Sequence, residues 1–118
     1  MAKSLIKEKS YSFALGIIGL YKTLLKQNEF VLSKQLLRSG TSIGANVEEA
    51  LAGQSRADFL SKMSIASKEA RETSYWLRLL QDSEIISKTE IEPLLTESES
   101  ITNMLTSIVK TTTKTHNP

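Results

Sequence analysis

Apolar residues recur along the first part of the chain at helical intervals. Ile6, Phe13, Ile17, Leu20 and Leu24 fall at spacings of seven, four, three and four, which marks one face of a helix over about residues 4 to 26. Ile18, Tyr21 and Leu25 broaden that face, and Gln27-Asn28-Glu29 follows as a polar turn. From about Leu32 to Ala52 a second helix turns Leu36, Ile43, Val47, Ala50 and Leu51 inward, with Gly53 where a left-handed C-terminal cap is expected.

Ser55-Arg56-Ala57-Asp58 resembles a capping box with Asp in place of the usual Glu, and it opens the most regular stretch. Phe59, Met63, Ala66, Ala70, Thr73, Leu77 and Leu80 alternate four-three spacings in the manner of a bundle seam. Ala66 and Ala70 at its centre imply close helix packing. Asp82 to Ile86 makes the next connection, and Ser87-Lys88-Thr89-Glu90 is a full capping box for a fourth helix. There Ile91, Leu94, Ser98, Ile101, Leu105 and Ile108 continue the seam. No run alternates strictly as a strand would, and no Asn-Gly or Asp-Gly hairpin turn occurs. Four helices of about 20 residues with short connections bury their stripes together as an all-α, antiparallel, up-down-up-down four-helix bundle. The expected division is a bundle over residues 1–110 and a disordered C-terminal tail over 111–118, where threonines replace the periodic pattern.

Composition agrees with one small soluble domain: 118 residues, 40% hydrophobic and 24% charged, of a size able to bury a single core. The absence of cysteine excludes disulfides, zinc–thiolate sites and a cysteine nucleophile, and fits a reducing, cytoplasmic setting. Lys3, Lys7 and Lys9 before the apolar run Phe13–Leu20 imitate a secretory signal, but Tyr21-Lys22-Thr23 offers no small-residue cleavage site. That run is also too short to span a bilayer, so no membrane association is expected.

Candidate catalytic chemistry is thin. Di-iron bundles need Glu-x-x-His pairs, and the one histidine is His116 in the tail, so Glu48, Glu49, Glu69 and Glu72 read as solvated or ion-paired carboxylates. Ser107-Ile108-Val109-Lys110 matches a Ser-x-x-Lys pattern without its companion motifs, and Ile108 belongs to the core seam. No phosphate loop or dinucleotide fingerprint occurs. The chain is therefore expected not to be an enzyme and to need no cofactor or metal.

Two surfaces stand out instead. Gly40 and Gly44 lie inside the second helix, each costing about 1 kcal/mol relative to alanine, so a close helix approach or a bend should offset them. Beside them Ser39, Ser42, Asn46 and Glu49 form a polar stripe. It is either an ordinary solvated face or a partly buried hydrogen-bonding stripe, joined by Arg38, that fixes register or a subunit interface. On the third helix Lys68, Arg71, Tyr75 and Arg78 occupy the face away from the seam. They form either a solvated surface or a grip for a nucleic-acid backbone with a ring to stack on a base. Trp76, to one side of the seam, can complete the core or anchor a partner. A net charge of +2 does not decide between these readings.

The segment Gln35-Leu36-Leu37-Arg38-Ser39-Gly40-Thr41-Ser42-Ile43-Gly44-Ala45-Asn46-Val47-Glu48-Glu49-Ala50, with Asp58-Phe59, Ile65-Ala66 and Glu72-Thr73, resembles a bacterial four-helix-bundle family. This is the family of 23S ribosomal RNA intervening-sequence proteins, and the resemblance covers roughly residues 10 to 110. The family commonly reads Ser-Ile-Pro-x-Asn-Ile-x-Glu-Gly, so Ser42, Ile43, Asn46 and Glu49 align, while Gly44 replaces the proline and Ala50 the glycine. Arg38 and Glu72 join these as motif or interface positions. Relatives include accessory proteins of diversity-generating retroelements, which resemble pentameric basic bundles that bind nucleic acid and a reverse transcriptase. The resemblance therefore implies a ring-like homo-oligomer, a pentamer, associated with structured RNA or with DNA. The alternative it leaves open is a homo-oligomeric scaffold that adapts a reverse transcriptase or another protein partner.

Overall fold

A computed structural model describes residues 2–116, with side chains from 5 to 114. Four helices follow one another: α1 (Ala2–Lys26), α2 (Leu32–Ala52), α3 (Arg56–Asp82) and α4 (Lys88–His116). Each packs on its sequence neighbours and α4 closes back on α1, in a rod 51 × 22 × 20 Å. The most extensive packing joins α2 to α3, and the least extensive joins α1 to α4. This is the expected all-α four-helix bundle.

The predicted stripes form the core. Ile6, Phe13, Ile17, Leu20 and Leu24 from α1 meet Leu36, Ile43, Val47 and Ala50 from α2. Met63, Ala66, Ala70, Leu77 and Leu80 of α3 and Ile91, Ile101 and Leu105 of α4 complete the cluster, with Ile86 plugging it from the last connection. Phe59, Trp76, Leu94 and Ile108 are only partly buried against it. Small hydroxyls lie inside as well: Ser10, Ser33, Ser39, Thr73 and Ser98 are fully buried. Thr73 Oγ1 lies 2.9 Å from Ser39 Oγ on α2, and Ser74 Oγ lies 2.8 Å from Ser98 Oγ on α4.

Two helix ends differ from the expected chemistry. Gly53 is extended, at φ −64° and ψ 151°, rather than left-handed, and its N–H reaches the Ala50 carbonyl at 3.2 Å. The left-handed caps fall instead on Asn28 and Glu84, at φ 62° and 63°. After α1, Glu29 N–H bonds Leu24 O and Asn28 N–H bonds Leu25 O; after α3, Ile85 N–H bonds Leu80 O and Glu84 N–H bonds Gln81 O. Both pairs are the crossed bonds of a Schellman motif, which satisfies carbonyls that a helix end leaves bare. Glu29 also starts the next helix, because its carboxylate accepts from Ser33 N at 2.7 Å and from Val31 N at 3.4 Å. At the third helix, Ser55 Oγ accepts from Asp58 N at 3.0 Å, as a capping box requires. Ser87 Oγ accepts from Glu90 N at 3.3 Å, while the Glu90 side chain returns to the Ser87 hydroxyl rather than to its N–H.

Helix α4 does not stop at Lys110, since Thr111 to His116 continue it. Thr112 and Thr113 hydroxyls lie 2.7 and 2.8 Å from the carbonyls one turn back, which lets threonine sit in a helix despite its branching. The remainder of the expected tail, Asn117 and Pro118, lies outside the described residues.

The two glycines of α2 mark where α1 crosses closely. A Cβ on Gly40 would stand 2.8 Å from both Ile17 Cγ atoms, whereas one on Gly44 would meet Ser10 O and Oγ at 3.4 Å. Gly40→Ala is expected to destabilise by about 1 to 3 kcal/mol through overpacking, outweighing alanine's helix preference. Gly44→Ala, in ordinary contact, should be neutral or stabilise by up to about 1 kcal/mol. Urea unfolding of the two variants checks this, and equal shifts in one direction would refute it.

Candidate nucleic-acid interface

The outward side of α3 carries two opposed chemistries. Towards α2, Glu69 and Glu72 both reach Arg38: its Nη1 lies 3.1 Å from Glu69 Oε1, and its Nη2 pairs with Glu72 Oε2. The Trp76 indole N–H donates to Glu72 at 3.0 Å, and Tyr75 meets Trp76 edge to face with centroids 5.1 Å apart. The Glu72 carboxyl is held below the ordinary carboxylate value, first by the indole hydrogen bond and then by Arg38 and nearby Lys68, against an opposing effect of burial. Arg38 is raised in turn, chiefly by its bond to Glu72.

Towards α4 the same helix turns cationic. Arg71 Nη1 donates to Ser67 Oγ at 2.9 Å, which lays its side chain along the helix. The Arg78 guanidinium stands 5.9 Å from the Tyr75 ring centroid, within cation–π reach. Arg71 and Arg78 line one groove of about 310 Å3 with Thr102 and Asn103 of α4, and a single carboxylate, Glu99, lines it too. Among the described residues no carboxylate is within ion-pair distance of Arg71 or Arg78. Lys68, Arg71, Tyr75 and Arg78 are all exposed, so the expected set does share one side of α3, although Lys68 is not among the residues lining the groove.

The α2 stripe divides. Ser39 is buried against Thr73, and Ser42 and Asn46 are half-buried, each bonding back to its own helix: Ser42 Oγ to Ser39 O at 3.1 Å and Asn46 Nδ2 to Ser42 O at 2.9 Å. Glu49 is exposed, and Arg38 leaves the stripe for α3. Continuity along α2 therefore does not extend to one shared network, because a serine or asparagine in a helix finds the carbonyl one turn back more readily than a neighbour along the stripe. The Arg38–Glu72–Trp76 cluster was not visible as a unit in the sequence. The four-residue spacing of Glu72 and Trp76 was its only local signal.

Among the described residues, no group of three or more His, Cys, Asp or Glu side chains is placed to hold a metal ion, and no helix is long and apolar enough to cross a membrane. The architecture defines an all-α bundle whose distinctive features lie on its outer helix faces rather than in an enclosed cavity. Within that class, the chain belongs to the 23S rRNA-intervening sequence protein family, whose profile matches residues 2–107. It is similar to a protein of unknown function from the S23 ribosomal protein family of Bacteroides thetaiotaomicron VPI-5482, whose crystal structure was determined at 1.70 Å. The two share 52% identity and a TM-score of 0.90, over 93% of this chain and 99% of that one. No curated protein matches the chain.

Trp76 is the sole tryptophan, so its emission reports on Glu72 directly. A carboxylate depressed in the folded state contributes stability that is present above its unfolded pKa and lost as pH falls through the folded one. Acid titration of the emission is expected to show a midpoint below the usual carboxylate value, and Glu72→Gln should abolish that step. A midpoint at or above the usual value would contradict the assignment.

Proposed function

We propose that the chain is a non-enzymatic cytoplasmic protein that binds structured RNA as a homo-oligomer, using the α4-facing side of α3. The observation that carries this reading is the placement of Arg71 and Arg78 in one groove beside Tyr75, with no carboxylate among the described residues paired to either. Two guanidiniums spaced along a helix suit successive phosphates, and a ring exposed next to them suits an unstacked base, the form in which RNA loops are most often read. The net charge of +2 does not oppose this, because Glu69 and Glu72 are committed to Arg38 on the other side of the helix.

Exposed apolar residues support self-association. Leu5, Tyr11 and Leu15 on α1, Phe30 and Val31 at the first turn, and Ile65 and Leu79 on α3 are all open to solvent. Those on α1 and those on α3 sit on helices that do not pack on each other, so a head-to-tail ring would cover both sets. The pentamer implied by the family resemblance is the form we favour. Light scattering is expected to give a multiple of the 13.1 kDa chain mass. A monomer at micromolar concentration would remove the ring.

The same apolar residues favour a second reading, a scaffold that presents its surface to a protein partner such as a reverse transcriptase. Reversing both Arg71 and Arg78 to glutamate separates the two. If RNA is the ligand, the double variant should lose binding to an RNA stem-loop while keeping wild-type helicity and mass, since both side chains are exposed. Wild-type binding should weaken as salt rises, with a log-log slope steeper than about −1.4 for two single-strand phosphate contacts per subunit. No binding at low salt, or binding indifferent to the double reversal, would move the scaffold ahead.

A further inference from the structure

The groove holding Arg71 and Arg78 does not end at Asn103. On the far side of that residue a second, larger depression of about 680 Å3 runs down α4, bordered by Asn103, Thr106, Lys110 and Lys114. Among the described residues no carboxylate lines it. Asn103 is common to both depressions, so they meet there as one trough that starts between α3 and α4 and continues on the outer face of α4, whose residues alone line its lower part.

Lys110 and Lys114 are exposed and one turn apart, an arrangement in which like charges repel. The last turns of a helix lower that cost, because the negative end of the macrodipole favours cations there. Both lysines also lie beyond residue 107, where the family match ends. The lower half of the trough is thus built on a stretch of α4 outside the matched span.

We infer that this chain extends its RNA site from α3 onto the end of α4, where Lys110 and Lys114 hold the phosphates of a single strand whose other part lies on Arg71 and Arg78. The inference rests on the RNA-binding reading above. At 1.5 Å per helical residue, Asn103 and Lys114 lie about 16 Å apart along the axis. Within that stretch Lys110 and Lys114 stand about 6 Å apart along the axis, close to the spacing of adjacent phosphates on an extended strand. Thr106 and Asn103 supply neutral hydrogen-bonding groups between the cations, and Tyr75, next to Arg78 but outside the lining of the α3 groove, supplies the stacking ring at the other end. A stacking ring engages an unpaired base and not one already paired inside a duplex, so the site favours a single strand.

The probe is a fluorescein-labelled decauridylate, read by anisotropy across a potassium chloride series with the full-length protein, alongside an RNA duplex of equal length. Lys110→Ala with Lys114→Ala should weaken decauridylate binding and make the log-log salt slope shallower by about 1.4, at about 0.7 per lost single-strand contact. Helicity and oligomer mass should stay unchanged, and the duplex should bind more weakly than the strand. Wild-type affinity and slope in the lysine variant, alongside loss of binding on reversal of Arg71 and Arg78, would overturn the extension and leave the RNA reading standing. Equal binding of duplex and strand would overturn the single-strand assignment. Failure of the wild-type protein to bind either probe at low salt would overturn both readings together.

Discussion

The rotation of α3 about its own axis decides what the molecule presents, and its buried apolar stripe sets it together with two neighbouring hydroxyls. Thr73 reaches Ser39 on α2, and Ser74 reaches Ser98 on α4. Consecutive residues on a helix point about 100° apart, so one helix can make both contacts at only one roll angle. Apolar burial turns the stripe of Met63, Ala66, Ala70, Leu77 and Leu80 inward, and close packing resists any large rotation away from it. The two hydroxyl pairs add about 0.5 to 1.5 kcal/mol each, the net worth of a hydrogen bond, since Thr73 and Ser98 also bond carbonyls one turn back in their own helices. Once Thr73 and Ser74 are placed, Glu69, Glu72 and Trp76 must face α2, and Arg71 and Arg78 must face α4.

The first and last connections reinforce that geometry without glycine. Asn28 and Glu84 occupy left-handed backbone positions that favour glycine, and each closes a helix with a pair of crossed bonds. Asparagine adopts this conformation more readily than glutamate, so Glu84 carries the larger strain. The burial of Ile86 just beyond it helps to hold the turn. At the first turn Glu29 joins two helices through one residue, its backbone ending α1 and its carboxylate covering the first amides of α2. Short and rigid turns of this kind fix the antiparallel order and leave only the outer faces to carry specificity.

The helices were legible because their apolar spacings are long and regular, and Phe13, Ile17, Met63, Ala70 and Leu105 sit inside as the periodicity requires. The close crossing at Gly40 was legible too, since an uncompensated glycine inside a helix signals a neighbour, and Ile17 is that neighbour. The caps were less so. Gly53 looks like a left-handed terminus by residue type but is extended, because residue type states what a position tolerates and not what the following turn demands. The threonine run after Lys110 misled for a related reason: poor helix propensity was offset by hydroxyls bonding one turn back. Arg38 meets Glu69 and Glu72 across a helix pair, at separations that a single sequence does not encode locally.

Charge shows why a whole-chain total conceals such a site. Fifteen basic and thirteen acidic residues nearly cancel, which taken alone argues against a polyanionic ligand. The cancellation is not uniform in space, however. Glu69 and Glu72 are held by Arg38, and Glu97 is held by Lys9 at 2.9 Å across the α1–α4 seam. Screening over about 8 Å at physiological salt means that a ligand senses the charges lining its own groove and not those on the far side of the rod. Along the α3–α4 trough those are Arg71, Arg78, Lys110 and Lys114 against Glu99, a local excess set by which carboxylates the opposite seams have taken. The same roll of α3 that commits two glutamates to α2 therefore leaves the α4 side positive.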